Sequence, residues 1–199
     1  MIRLTRPDAD AIATALRGFD PAFSYAEVGA TASPEALASL ARGYVVDRRR
    51  FPLGTGREVF ERARLALFDW RHFEIPWLSL EGAGAPVHAD QIVATLTRVF
   101  GLWFLNPCRV VDRVDPPGEA QAVSFAYGTL QGHVAAGEER FSVRLDPATG
   151  VVELEILAFS RPAQWWTRAG RPFMRRVQGR FGFAAGAALA RACRRLGAN

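Results

Sequence analysis

Residues Glu138-Glu-Arg-Phe-Ser-Val-Arg-Leu145, then Asp146-Pro-Ala-Thr-Gly150, then Val151-Val-Glu-Leu-Glu-Ile-Leu-Ala-Phe-Ser160, form two runs of period-two alternation around a turn. In the first run Glu139, Phe141, Val143 and Leu145 share a face, with Glu138, Arg140, Ser142 and Arg144 opposite. In the second, Val152, Leu154, Ile156 and Ala158 face one way and Glu153 and Glu155 the other. Side chains alternate across a strand, so this is an antiparallel pair with one face covered and the other toward water.

Upstream the same period continues back to Trp77, interrupted by turn residues at 82–86, Asn106-Pro107, 116–118 and 132–137, which predicts a meander of six strands. Before it, Thr55-Gly-Arg-Glu58 reads as a capping box opening a helix with Val59, Phe60, Ala63, Leu67 and Trp70 on one face. Residues 44–53 read as extended, Tyr25 to Thr31 as a short strand, and Asp8 and Ser33-Pro34 as the starts of two N-terminal helices. Downstream, Pro172 opens a long helix whose apolar stripe is Met174, Val177, Phe181, Ala185, Ala188 and Ala192. Gly179, Gly182 and Gly186 share another face of that helix. Each costs about 1 kcal/mol relative to alanine, so a close neighbour or a bend is expected there.

Strand, helix, six-strand meander and long final helix make the order of an α+β helix-grip domain. A curved antiparallel sheet wraps around the C-terminal helix and leaves room for a small apolar ligand. Residues 1–43 are expected as a helical extension packed on a domain of residues 44–199. The stretches Phe125-Ala-Tyr-Gly-Thr-Leu-Gln-Gly-His133, Gly137-Glu-Glu-Arg-Phe141, Ala158-Phe-Ser-Arg-Pro162 and Asn106-Pro-Cys-Arg109 resemble the family called domain of unknown function 1990. The resemblance runs from about Tyr25 to the C-terminus; the family carries proline where this chain has Gln131. That family is similar to START-type lipid-transfer domains and polyketide cyclases (Bet v 1-like), which hold ligands between sheet and final helix. The resemblance therefore implies a cavity and supplies no reaction.

Composition agrees with one globular domain: 199 residues, 49% hydrophobic and 23% charged. The N-terminus carries charges before any apolar run of signal-peptide length, so a cytoplasmic location is expected. Cys108 and Cys193 stand in no metal-ligand spacing, and neither a metal nor a cofactor is expected. All 25 basic residues are arginine, and nine of them fall from Ile156 onward without an acid. That basic tail, with Trp165-Trp166 before its helix, raises peripheral membrane contact as a partner class; nucleic acid is not expected, because the rest of the chain is acidic.

Candidate site residues follow from strand phase. Glu139 lies on the apolar face with Phe141, and a carboxylate there needs a partner. In the run Ile92 to Phe100 the apolar set Ile92, Ala94 and Leu96 carries Arg98 with it, so an internal Arg98–Glu139 pair is expected as a polar anchor. Tyr127 shares a face with Val123 and Phe125, and either that face or the small one, Ser124, Ala126 and Gly128, looks inward. His133 reads first as a turn residue bonding its own loop, and second as an acid/base partner of Glu138 or Glu139. Arg109 is expected to face water or the N-terminal segment. Phe181 would close the ligand space from the helix.

These residues support binding or carriage of a small hydrophobic molecule, with Arg98, Tyr127, His133, Glu139, Phe141 and Phe181 around it. The alternative is a cofactor-free cyclase or dehydratase using His133, Glu139 and Tyr127. No phosphate loop, GxSxG elbow or HExxH motif is present, which excludes the enzyme classes built on them.

Overall fold

Every strand from Leu78 to Pro162 pairs with the next in sequence, and the strand Val45–Thr55 then closes against the last. In the computed structural model, which describes residues 1–40, 43–163 and 171–197 (side chains of 171–175 excepted), the elements are β1 (Ile2–Arg3), α1 (Ala9–Gly18), α2 (Pro34–Ala38), β2 (Val45–Thr55), α3 (Arg57–Phe68), β3 (Leu78–Glu81), β4 (Ile92–Val99), β5 (Leu102–Val114), β6 (Ala122–Thr129), β7 (Ala135–Leu145), β8 (Val151–Pro162) and α4 (Arg171–Leu196). The sheet order is β2-β8-β7-β6-β5-β4-β3, all antiparallel, with β1 added beside β5. Trp165 and Trp166, and the side chains of Met174 and Arg175, lie outside the described residues.

The inner face of the sheet packs on α3 and α4. Phe60, Ala63 and Leu67 of α3 and Ala185, Ala188, Leu189 and Ala192 of α4 are buried against Val123, Phe125, Phe141, Val143, Val152 and Leu154. Each large side chain removed from water there contributes roughly 1.5–3 kcal/mol, so this cluster is the main source of cohesion. The glycine face of α4 meets β2. A Cβ at Gly182 would stand 3.0 Å from Arg49 Cδ, and one at Gly186 would stand 2.6 Å from the Phe51 ring. A close neighbour, then, is what those glycines admit.

The outer face is not wet at its centre, contrary to the simple alternation. Ile12 of α1 packs on Ala94, Leu96 and Leu105, and Tyr25 and Ala30 pack on Ala136 and Phe159. The segment Tyr25 to Thr31 is not a strand. Its N–H groups turn toward one buried carboxylate: Glu138 accepts from Gly29 N (2.7 Å), Thr31 N (3.1 Å), Tyr25 Oη (2.8 Å) and the Thr31 hydroxyl. Gly29 has φ 84°, the left-handed conformation that aims these donors. Beside it Arg140 pairs with Asp112 and bonds Ser124 Oγ at 3.0 Å. The small residues of β6 serve this packing, since a Cβ on Gly128 would fall 2.0 Å from the Tyr25 hydroxyl.

Three local expectations change. Asn106-Pro107 lies inside β5, and the turn sits at Phe100-Gly101, both with positive φ. Proline fits because the Pro107 carbonyl, and with it the position of the missing N–H, faces the end of β6, where Leu130 N–H bonds that carbonyl at 3.1 Å. No capping box opens α3, because Thr55 still belongs to β2 and Gly56 occupies the N-cap without a side-chain bond. Trp70 leaves that helix in a left-handed conformation, φ 60°, and buries its ring near Phe125.

Candidate ligand pocket

Between the inner face of the sheet and α4 lies a pocket of about 410 Å³. Its apolar wall includes Trp77, Val99, Phe104, Ile156, Val177 and Phe181. The register explains the polar part: Val110, Tyr127, Glu139, Ala158 and Asp47 stand on one rung across five strands, all facing inward. Ala158 separates the two carboxylates by one strand and keeps the space above the sheet open. Arg49, two residues along β2, extends toward α4, where the glycine face admits its stem.

Tyr127 Oη donates to Glu139 Oε2 at 2.5 Å. Burial pushes the Glu139 carboxyl up to about 7; the Tyr127 hydrogen bond and the Arg49 charge act the other way, while Asp47 adds to the rise. Burial, then the negative charge of Glu139, raises the Tyr127 phenol as well, so it remains a neutral donor. The pair thus changes charge near neutral pH at one oxygen atom in a largely apolar wall. Burial also raises the neighbouring Cys108 thiol, which is therefore protonated and inert as a nucleophile.

Of the residues expected at the site, Tyr127, Glu139, His133 and Phe181 line the pocket. The two faces of β6 are thereby assigned, with tyrosine inward. His133 stands beside neither glutamate: its Nδ1 lies 2.9 Å from Ala135 N and 3.0 Å from Ala135 O, so that nitrogen is engaged within its own loop. Burial holds that imidazole down to about 4. Arg98 is exposed and does not meet Glu139. The error was one of phase: Ala94 and Leu96 are apolar because α1 covers them from outside, while Val93, Thr95 and Thr97 face in. Phe141 is fully buried behind the pocket, 4.5 Å from the His72 ring, and lies outside its lining. Arg109 does face the N-terminal segment, its guanidinium 4.2 Å above the Phe23 ring. A bulge between Val110 and Asp112 then turns Arg113 to the inner side, over Phe68 at 3.9 Å, so the two arginines do not share a face.

Asp47 and Arg49 were not anticipated. Their signal was present: Asp47, Arg49, Phe51 and Leu53 alternate with Val46, Arg48, Arg50 and Pro52, and the two apolar members mark the inner phase. Among the described residues no group of three or more histidine, cysteine, aspartate or glutamate side chains is placed to hold a metal.

Residues 24–188 match the model of the family described as Domain of unknown function (DUF1990). The chain belongs to the DUF1990 family. It is 35% identical over 144 residues to a UPF0548 protein of Dictyostelium discoideum, covering 68% of this chain and 67% of that one. A UPF0548 protein of Deinococcus radiodurans is 32% identical over 190 residues, 89% and 91% of the two chains. Family members therefore occur in both eukaryotes and bacteria. Among solved structures, the Zhui aromatase/cyclase from Streptomyces sp. R1128 superposes with a TM-score of 0.51 at 14% identity, covering 76% of this chain and 93% of that one. The chain thus has the START/polyketide-cyclase-like fold, a curled antiparallel sheet gripping a C-terminal helix.

Proposed function

We propose that this DUF1990 protein binds a small, mainly apolar molecule in the pocket between sheet and α4, with Tyr127 and Glu139 as its polar anchor. The observation that carries this reading is a pocket of about 410 Å³ with a hydrogen-bonded acid at its wall. That volume falls in the usual range for small-molecule sites. An oxygen on the ligand can accept from protonated Glu139 or donate to its carboxylate, whereas the apolar wall supplies area. The test is uptake of a neutral solvatochromic naphthalene probe by delipidated protein. Saturable binding at one site is expected, and Ala158→Phe, which fills the gap between Asp47 and Glu139, should abolish it. No saturable uptake, or uptake indifferent to A158F, would sink the reading.

A second reading, a cofactor-free cyclase or dehydratase, is favoured by one observation: an acid shifted to about 7 beside a phenol is poised for proton transfer at neutral pH. In this version Glu139 takes and returns the proton, and Tyr127 positions it. His133 plays no part through Nδ1, which its own loop occupies. A compound that co-purifies with the protein, incubated in deuterated water, should exchange at carbon with the native protein and not with Glu139→Gln. Equal exchange by both would remove the catalytic version.

A further inference from the structure

The β4–β5 turn places a phenylalanine where a hairpin prefers asparagine or glycine. Phe100 has φ 49° and leaves 83% of its surface exposed, so the position is unfavourable both for the backbone and for hydration. Beside it β1 pairs with β5, Ile2 opposite Phe104 and Arg3 opposite Trp103, which brings two more exposed apolar side chains, Ile2 (48%) and Leu4 (83%), to the same end of the sheet. Arginines surround them: Arg3, Arg6 and Arg98 are exposed, and the Arg6 guanidinium lies 5.5 Å above the Trp103 ring. The segments 1–6 and 96–104 that build this end contain no acid. Asp8, next along the chain, is occupied in capping α1 through Ala11 N–H. Phe100, Val99 and Phe104 also line the pocket, so this apolar and basic end is one side of its rim.

We propose that the β4–β5 turn and the adjoining β1 edge dock on an anionic lipid bilayer. Phe100 and Leu4 enter the headgroup region, Trp103 sits at its border, and Arg3, Arg6 and Arg98 meet lipid phosphates and carboxylates. An exposed aromatic ringed by cations is the composition that an anionic interface stabilises through both area and charge. The proposal does not depend on what the pocket holds. It does set the pocket rim against the bilayer, the geometry a hydrophobic molecule needs to pass without crossing water.

The experiment is co-sedimentation of the full chain with extruded vesicles of phosphatidylcholine alone and of phosphatidylcholine with phosphatidylserine. Binding is expected on the anionic vesicles and should weaken as salt is added. Arg98→Gln and Arg6→Gln should each lower the partition coefficient roughly fivefold. Phe100→Asn should lower it roughly tenfold or more, and since asparagine tolerates the left-handed conformation, that variant keeps the fold. Absence of binding to anionic vesicles would overturn the proposal. So would binding that survives F100N and R98Q while Arg176→Gln with Arg180→Gln on α4 abolishes it. Self-association of the native chain that F100N removes, without any vesicle binding, would assign the patch to a second copy instead.

Discussion

Replacing Glu139 by glutamine isolates the energetic cost of the pocket acid. The carboxyl is shifted from 4.5 to about 7, chiefly by burial. A raised folded-state value means that the folded chain holds its proton more tightly than the unfolded one, so stability is fully present below pH 4.5 and declines as pH rises through 7. At about 1.4 kcal/mol per unit the full loss is at most about 3 kcal/mol, and water reaching the pocket reduces it to about 2. Glutamine has the same shape, keeps a carbonyl for the Tyr127 hydroxyl, and does not ionise. Native and Glu139→Gln proteins should therefore unfold at nearly equal urea concentrations at about pH 4, and the variant should be the more stable by about 2 kcal/mol at about pH 8. Histidine contributions are common to both proteins and cancel in the difference. A difference that stays flat with pH, or a variant less stable at about pH 8, would refute the reasoning, because it would mean that Arg49 and Tyr127 outweigh the desolvation of the ion.

Burial holds His72 at about 3, and neither ring nitrogen has a hydrogen-bond partner among the described residues. The unfolded chain takes up a proton below pH 6.5 that the folded chain refuses, so native stability falls there; His72→Leu should remove that fall and gain about 2 kcal/mol over the native protein at about pH 5, read from urea midpoints. The His133 ring, titrated by NMR, should show a midpoint near 4, and a midpoint near 6.5 would mean that its loop opens to water. On α4 the glycines should separate: Gly186→Ala, with its Cβ 2.6 Å from the Phe51 ring, should lower stability by about 2 kcal/mol, whereas Gly179→Ala, whose nearest neighbour is Arg49 Nη2 at 3.6 Å, should raise it by about 0.5–1 kcal/mol from helix propensity alone. Glu138→Ala should free the segment around Gly29 and Thr31, seen as faster amide exchange there than in β7 itself.

Much of the architecture was legible because its signals are local. Alternation in β7 and β8, the stripe Val177–Phe181–Ala185–Ala188–Ala192 and the glycine face of α4 each required only a count along the chain. The pocket acid was legible for the same reason: Glu139 shares its phase with Phe141 and Val143. Arg98 was misplaced because β4 is covered on both faces, so apolar residues on one set no longer identify the inside. Glu138 and Arg140 likewise appear as a wet face only until the N-terminal segment supplies Thr31 and Tyr25, contacts that span more than a hundred positions. The bulge in β5 is invisible to a strict period of two, and it puts Arg113 on the side opposite Arg109. Asp47 and Arg49 were within reach of the alternation rule, had Phe51 and Leu53 been used to set the phase of β2.

The contact between the α4 glycines and β2 has a practical consequence for anyone reshaping the pocket. With Gly182 and Gly186 seated on Arg49 and Phe51, the helix cannot move toward β2, and bulk added along that seam would lever it away from the sheet. That seam behaves as a hinge plate screwed shut, and selectivity must be retuned elsewhere. Phe181, Val177, Ile156 and Trp77 line the space away from that seam, so exchanging their sizes changes the mould while leaving the seam itself untouched.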